Sequence, residues 1–176
     1  EGKWVVTGGW LPRIILQIAR IATNIVAMDS IDRIIISLLA ADSRRALADI
    51  GAHVGLSPSA VNERVRRLAA SGAIRRFTVD VDPAALDLGI LAFVWIALPA
   101  QADEAAFRAH AAADPAIEEC HHVTGDWSYL MKVRVNLLTG LEDFLAGLKA
   151  QGFVGRSHTV LALSSPVPGA HVPAGG

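Results

Sequence analysis

The sequence predicts an α+β protein that is built from two modules. Three observations support this prediction. Two helical patterns of apolar residues meet at a glycine-containing turn between Leu47 and Leu68. After Asp82-Pro83, strand-like segments alternate with helical ones. The first module is basic and the second is acidic, so we expect the two modules to have different partners.

The first module is expected to contain three helices. Apolar residues at helical spacing between Ile31 and Leu39 predict the first helix, with Asp29 as its N-cap. Asp32 stands where a capping box would carry its acid. Apolar positions three and four residues apart predict the second helix over residues 47–54.

The turn after the second helix has a specific chemistry. Gly51 lies inside that helix, where glycine costs up to about 1 kcal/mol relative to alanine, so we expect a crossing helix to approach it closely. Gly55 fits a left-handed C-cap. Ser57 is a suitable N-cap for the third helix, and Pro58 fits its first position. Helix, turn and helix together predict a helix-turn-helix, whose second helix enters the DNA major groove.

The predicted third helix separates buried residues from exposed polar ones. Val61, Val65 and Leu68 form its buried stripe, and Arg64 lies near that flank, which suits an internal salt bridge or a phosphate contact. Asn and Arg on the other face can pair with adenine and guanine. An arginine-rich face can also be merely solvated, but the adjoining glycine turn favours DNA. The predicted DNA-binding residues are Arg44, Arg45, Ser57, Ser59, Asn62, Glu63, Arg66, Arg67, Arg75 and Arg76.

Charge supports double-stranded DNA as a partner of the first module alone. The whole chain has 16 basic and 17 acidic residues. Between residues 44 and 78, however, seven arginines oppose two acids, whereas from residue 83 onward five basic residues oppose nine acids. Arg75 and Arg76, next to the end of the third helix, are expected to contact phosphates. The segment Ile74 to Val81 alternates like a strand. The first module is predicted to be a winged helix-turn-helix.

The second module has the element order β-α-β-β-α-β, which is that of a ferredoxin-like sandwich. Strands are predicted over residues 89–98, 117–124, 129–135 and 157–163, and helices over residues 103–113 and 141–150. The expected inward residues of the two helices are Ala106, Phe107, His110 and Ala111, and Leu141, Phe144, Leu145 and Leu148. Phe93 and Trp95 leave apolar positions on the uncovered sheet face, which predicts a homodimer through that face.

No catalytic residue, cofactor or metal is predicted. Cys120, His121 and His122 are consecutive, but neighbours on a strand point to opposite faces and make a poor metal cage. The sequence contains no G-x-S-x-G, P-loop or HExxH motif. We therefore do not expect an enzyme. The single cysteine excludes an intrachain disulfide framework and suits a cytoplasmic protein.

From Met28 to about Ser165 the chain resembles the leucine-responsive/asparagine-regulator (Lrp/AsnC, feast/famine) family of transcription regulators. The resemblance rests on MDSIDRIIISLLAADSR, SPSAVNERVRRLAASGAIRRF, VTGDWSYLMKV and RSHTVLAL, in this order. It implies an N-terminal helix-turn-helix, a hinge strand and a dimerising C-terminal (RAM-type) domain. It also implies association of dimers, commonly into octamers, and a small effector, usually an amino acid, between dimers.

The resemblance places the effector site at a Gly-Asp-aromatic-Asp turn and on the last strand. The matching residues are Gly125, Asp126, Trp127, Ser128, Ser157 and Thr159, with Ser128 in place of the second acid. Asp126 could hold an ammonium group while the amides of the turn bind a carboxylate. The alternative is that this turn only closes a hairpin, with Asp126 capping its own backbone.

The predicted domains are an N-terminal extension (1–27), a helix-turn-helix domain (28–76), a hinge strand or linker (77–87), a ligand-binding and oligomerisation domain (88–165) and a flexible tail (166–176). The extension has a helical apolar stripe that is too short and too charged for a membrane span. It is either an amphipathic helix that packs on the dimer or on lipid, or a segment ahead of a native start at Met28. The second is preferred because the family pattern begins there.

Together these features predict a sequence-specific DNA-binding transcriptional regulator that a small effector modulates. Two rival hypotheses remain. One is an effector-sensing ferredoxin-like oligomer, or a small enzyme on that fold, without specific DNA binding. The other is a helix-turn-helix of another family with an unrelated sensor domain.

Overall fold

The computed structural model describes residues 28–171 and divides the chain into two compact units, one ending at Phe77 and the other beginning at Thr78. The predicted N-terminal helical stripe lies outside the described residues. Among residues 28–171, no helix is both long enough and apolar enough to cross a membrane.

The first unit consists of three helices, as predicted. They are α1 (Ser30–Ala41), α2 (Leu47–Val54) and α3 (Pro58–Ala70). Their apolar stripes meet in one core, which is formed by Ile35, Leu39, Ile50, Val61 and Leu68. Burial of each such side chain contributes about 1.5–3 kcal/mol, so these stripes hold the three helices together.

The predicted caps are confirmed. The Asp29 carboxylate accepts a hydrogen bond from the Asp32 N–H (2.7 Å) at the start of α1. The Ser57 hydroxyl accepts one from the Ala60 N–H (3.3 Å), and Pro58 is the first residue of α3. These bonds satisfy N–H groups that have no partner within the helix.

The glycines of the turn are required for two different reasons. Gly55 caps α2 at φ 68°, in the left-handed region that favours glycine. Glycine is required at position 51 because there is no room for a side chain. A Cβ atom there would lie 2.4 Å from the Leu56 carbonyl oxygen. The two nearest atoms belong to the turn, and the start of the next helix follows, with Pro58 N at 3.7 Å. The turn itself folds back onto α2, and the Leu56 N–H donates to the Gly51 carbonyl oxygen (3.0 Å).

The strand predicted over residues 74–81 is not formed within the described residues, and neither is the wing that it would have supplied. The Ile74 N–H instead donates to the Leu68 carbonyl oxygen and closes the end of α3. Phe77 and Val79 are 55% and 67% exposed. Alternation alone cannot make a strand, since a strand needs a neighbour to take up its backbone hydrogen bonds.

The second unit has the predicted β-α-β-β-α-β order after a short 3₁₀ turn (Pro83–Leu86). Its elements are β1 (Ile90–Ala97), α4 (Glu104–Ala113), β2 (Ile117–His122), β3 (Tyr129–Val135), α5 (Leu138–Ala150) and β4 (Arg156–Leu161). The strands form one antiparallel sheet in the order β2-β3-β1-β4. This is the expected ferredoxin-like arrangement. Its central strands, β3 and β1, have a neighbouring strand on both sides and are therefore the most easily buried.

Both helices cover the same face of this sheet. Val94 and Ile96 of β1 and Met131 of β3 pack there against Phe107 of α4 and Leu148 of α5. The prediction that Ala106 faces inward was wrong, because α4 turns Phe107 and Ala111 into the core and leaves Ala106 exposed. Helix α5 also begins three residues earlier than predicted, at Leu138.

The other face of the sheet carries Phe93 and Trp95, with Lys132 opposite Phe93 on β3. Lys132 and its neighbour on the same face, Arg134, pair with Glu118 of β2. The tail that was predicted to be flexible is described as far as His171, which is buried with its Nδ1 atom 2.6 Å from Glu118 Oε1. Residues of this tail and of the open face line a cavity of about 480 Å³.

Candidate DNA interface and effector turn

Helix α3 presents a polar face whose side chains are exposed. These residues are Ser59, Asn62, Glu63 and Arg66. Val61 and Leu68, on the opposite side, are fully buried, so the rotation of the helix about its axis is set by its core. Within residues 28–171, no carboxylate pairs with Arg66. Arg66 can therefore reach base edges without first breaking an internal ion pair.

Arg64 forms an internal salt bridge, which confirms the first of the two roles that the sequence left open for it. Its Nη1 atom lies 2.8 Å from Asp32 Oδ1 and 2.7 Å from Asp29 Oδ2. Hydrogen bonds from the Asp32 N–H and from Arg64 hold the pKa of Asp29 below its ordinary value. Hydrogen bonds to Asp29 and Asp32 raise the pKa of Arg64.

Arg67, predicted to flank the DNA-binding face, is also paired within the unit. Its Nη2 atom donates to both oxygens of Asp32, at 3.0 and 2.8 Å, while half of its side chain stays exposed. Asp32 is fully buried. Its carboxylate occupies the capping-box position but binds these two arginines rather than the start of its own helix.

The other predicted DNA contacts lie at the ends of helices. Arg44 and Arg45 lie between α1 and α2, and Arg75 and Arg76 follow α3. No ion pair involves any of the four within the described part of the chain. Ser57 differs from them because its hydroxyl caps α3 and lies 3.0 Å from the hydroxyl of Ser59.

The predicted effector turn connects β2 and β3. Gly125 has φ 97°, which favours glycine. The Ser128 N–H donates to the Ile96 carbonyl oxygen (2.8 Å), and its hydroxyl accepts from the Leu98 N–H (3.0 Å). Ser128 thus attaches the turn to the end of β1. The Asp126 carboxylate is exposed and makes no hydrogen bond to residues 28–171, so the alternative in which it caps its own backbone is not observed.

Trp127 lies within a group of rings and a cation on the open face of the sheet. The Arg156 guanidinium carbon is 4.4 Å from the centre of the Trp127 ring, and its Nη2 atom donates to the Asp126 carbonyl oxygen (3.0 Å). The His158 ring stacks on Trp127 at a centroid distance of 6.3 Å and lies tilted by 44° against Trp95 at 5.6 Å. A guanidinium over an aromatic face is a favourable cation–π arrangement.

Ser157 and Thr159 are not brought together with Trp127. Ser157 is paired with Ile96 and Thr159 with Val94, so both face the helix-covered side of the sheet. His158 lies between them and faces the other side. Sequence analysis missed Arg156 and His158. Alternation along β4 was visible in the sequence, but the register that decides which of its two faces meets the turn was not.

Cys120 and His122 lie on one side of β2 and His121 on the other, as expected for a strand. The His121 ring is 3.1 Å from Glu119. Burial raises the pKa of the Cys120 thiol, which keeps it protonated and poorly nucleophilic. A cavity of about 520 Å³ beside Cys120 and His122 is also lined by Tyr129, whose hydroxyl is already bound to Glu104 and Arg108.

The fold, together with two family models that match its two units, defines a DNA-binding regulator with a separate ligand-binding domain. The model of the AsnC-type helix-turn-helix domain matches residues 28–69, and that of the Lrp/AsnC ligand binding domain matches residues 91–172. The regulator LrpA of Mycobacterium tuberculosis is 35% identical over 84% of this chain and 98% of its own length. The crystal structure of LrpA has a TM-score of 0.71 and covers 83% of this chain and all of its own.

The leucine-responsive regulatory protein of Salmonella typhimurium is 41% identical over 61% of this chain and 67% of its own length. The chain thus belongs to the Lrp/AsnC family of transcriptional regulators. This membership confirms the predicted class, a DNA-binding regulator with an effector domain. It argues against the rival hypotheses of an enzyme and of another helix-turn-helix family, because the relatives are regulators of this family.

Proposed function

We propose that this regulator responds to an amino acid that binds at the Gly125 turn. The observation that supports this best is the pair of opposite charges around Trp127. The Asp126 carboxylate is exposed next to Trp127 in the chain and makes no hydrogen bond within residues 28–171, and the Arg156 guanidinium lies over the Trp127 ring. An amino acid carries the complementary pair, an ammonium group and a carboxylate. A relative that is named leucine-responsive supports the same class of effector.

The proposed effector residues are Gly125, Asp126, Trp127, Arg156 and His158. Ser128 supports the turn through its bonds to β1. Ser157 and Thr159 are omitted, because their register places them on the other face of the sheet. Trp95 and His158 supply the apolar ring surface against which an aliphatic side chain can pack.

The proposed DNA contacts are of two kinds. Ser59, Asn62, Glu63 and Arg66 contact base edges, and Arg44, Arg45, Arg75 and Arg76 contact phosphates. Ser57 acts through the cap that it supplies to α3. Because it binds DNA, we place the protein in the cytoplasm.

We further propose that the protein is a homodimer that assembles further, with an octamer as the larger form. Phe93 and Trp95 lie on the sheet face that no helix covers. The predicted strand over residues 74–81, with Phe77 and Val79 exposed, finds no strand partner among the described residues. A second copy of the chain could supply that partner. Two helix-turn-helix units are also needed to bind two half-sites of DNA.

The effector proposal can be tested by thermal unfolding with each of the twenty amino acids at millimolar concentration. A true effector raises the melting temperature, because it binds only the folded protein. We expect one or a few aliphatic amino acids to do so and to change the gel shift of a DNA fragment selected by the protein from a random pool. Asp126→Asn should abolish both responses.

Asp143→Asn, which alters an exposed acid on α5, is the matched control and should keep both responses. If no amino acid shifts the melting temperature of the unmodified protein, the effector proposal is wrong. If Asp126→Asn responds like the control, an effector exists but its site lies elsewhere.

A further inference from the structure

We propose that Asp32 is a positioning residue for DNA recognition. Through Arg64 and Arg67 it fixes helix α3, and it thereby withdraws both arginines from the set that contacts DNA.

The contacts of Asp32 support the first part of this proposal, that Asp32 fixes helix α3. Asp32 belongs to α1 and is fully buried, yet three hydrogen bonds of 2.8–3.0 Å connect its carboxylate to the two arginines of α3. A buried carboxylate is strongly unfavourable unless cations and hydrogen bonds compensate it. Arg64 and Arg67 are therefore held where they are by the acid beneath them.

The spacing of the two arginines makes this contact a restraint on the whole helix. Arg64 and Arg67 are three residues apart and so lie one above the other on the same side of α3. Two attachment points along the axis oppose both rotation and sliding of the helix. Arg66 lies between them, on the exposed face, and successive residues of a helix are about 100° apart. A small rotation of α3 would move the Arg66 guanidinium away from its base edge.

The charges around α3 support the second part of the proposal, that Arg64 and Arg67 do not contact DNA. Of the seven arginines between residues 44 and 78, Arg64 and Arg67 are neutralised by Asp29 and Asp32, which lie outside that window. Five arginines remain for DNA: Arg44, Arg45, Arg66, Arg75 and Arg76. Each phosphate contact contributes about −0.9 to the slope of log affinity against log salt, so the slope reports which arginines contact phosphates.

The test compares Arg67→Gln with the matched variant Arg66→Gln in the full chain. Each removes one positive charge from adjacent positions of α3. Affinity is measured over a range of salt concentrations, for a duplex that the unmodified protein selects from a random pool and for a mixed-sequence duplex. We expect Arg67→Gln to leave the salt slope unchanged, and Arg66→Gln to weaken binding to the selected duplex. A slope that falls by about one in Arg67→Gln would make Arg67 a phosphate contact and overturn the proposal.

Asp32→Asn tests the positioning role, because asparagine keeps the shape but loses the charge. We expect the ratio of affinities for selected and mixed duplexes to fall about tenfold or more, which is the effect of at least one mismatched base pair. Affinity for the mixed duplex should stay the same or rise, since Arg67 is released. A residue that only stabilised the fold would lower both affinities together in proportion to the folded fraction, measured by circular dichroism.

Asp49→Asn, at an exposed acid of α2, is the control and should keep the full ratio. A folded Asp32→Asn variant that also keeps the full ratio would overturn the proposal. If Asp32→Asn does not fold, Arg67→Gln tests the positioning role instead, because it removes two of the three hydrogen bonds to Asp32 from the other side and should lower the same ratio of affinities; an unchanged ratio in a folded Arg67→Gln variant would overturn the proposal.

Discussion

In each unit, one carboxylate of the described residues stands out as largely removed from solvent, and the two carboxylates have different kinds of partner. Asp32 of the helical unit binds two arginines of α3, more than thirty residues away along the chain. Glu118 of the sheet unit, 11% exposed, pairs with Lys132 of the adjacent strand and with His171. Lys132 Nζ is 3.0 Å from Glu118 Oε2, close enough for an ion pair although it is not aligned as a hydrogen bond.

This difference shows when an ion pair determines how two elements are placed, and when it only stabilises a placement that other contacts already determine. Strands β2 and β3 are already aligned by their backbone hydrogen bonds, which pair Lys132 with Glu119 and leave Glu118 at an irregularity of the ladder, so the ladder and not the ion pairs of Glu118 places β3 beside β2. Helices have no such ladder between them and are positioned by side chains alone. Asp32 therefore has a larger share in placing α3 than Glu118 has in placing β3.

The largest effect is expected from Asp32→Ala. It should lower the free energy of unfolding of the first unit by about 2–4 kcal/mol, because three hydrogen bonds to charged groups are lost and a buried cavity is left. Urea unfolding of the full chain, followed by circular dichroism, measures this loss. Asp49→Ala, which removes an exposed acid from α2, should change it by less than about 0.5 kcal/mol. An Asp32→Ala effect as small as that of the control would contradict the role given to Asp32.

Glycine-to-alanine substitutions in the two units should have opposite signs. Gly51→Ala places a Cβ atom 2.4 Å from the Leu56 carbonyl oxygen, so we expect a loss of about 1–3 kcal/mol. Gly147→Ala on α5 meets no atom within 4 Å and should stabilise the sheet unit by about 0.5–1 kcal/mol. Urea unfolding measures both variants. A stabilising Gly51→Ala would mean that the turn can move aside.

Arg66→Ala should weaken binding to a selected duplex by about 1–3 kcal/mol and relax sequence preference at one position. Competition gel shifts with single-base variants of the duplex measure both effects. Lys149→Ala, which removes a cation from the exposed side of α5, is the control and should leave both unchanged. An equal loss on every duplex would instead identify Arg66 as a phosphate contact.

The smallest effect is expected at Glu118 and depends on pH. Burial alone would raise the pKa of this carboxyl, but the ion pair with Lys132 and the hydrogen bonds with Arg134 and His171 together lower it. A carboxylate whose pKa is lower in the folded state stabilises the fold above its unfolded pKa, and this stabilisation is lost as pH falls through the folded value. The sheet unit should thus lose stability below the ordinary glutamate pKa of about 4.3.

Glu118→Gln should be less sensitive to acid than the unmodified protein when unfolding is compared at neutral pH and at about pH 3. Some sensitivity will remain, because the pKa values of Glu104 and Glu119 are also lowered, first by hydrogen bonds from Tyr129 and His121 respectively. Equal acid sensitivity in Glu118→Gln would show that the ion pairs of Glu118 do not contribute to the stability of the fold.

The sequence by itself determined the features that depend on residues close together in the chain. The caps at Asp29 and Ser57, the left-handed Gly55 and the order of strands and helices follow from local propensity and periodicity, because the interacting groups lie within one or two turns. The polar face of α3 follows in the same way, since helical geometry assigns each residue to a side.

Only the tertiary structure decided which distant groups meet. Arg67 looked like a DNA contact because its partner Asp32 is 35 residues away. Ser157 and Thr159 were assigned to the effector site by family resemblance; pairing with β1 turns both toward the helix-covered face, and alternation along β4 cannot reveal which of its faces meets the turn. Residues 74–81 resemble a strand, but no neighbour within the described chain pairs with them as a strand. In each case a pairwise contact over a long sequence separation fixes the outcome, and periodicity cannot encode it.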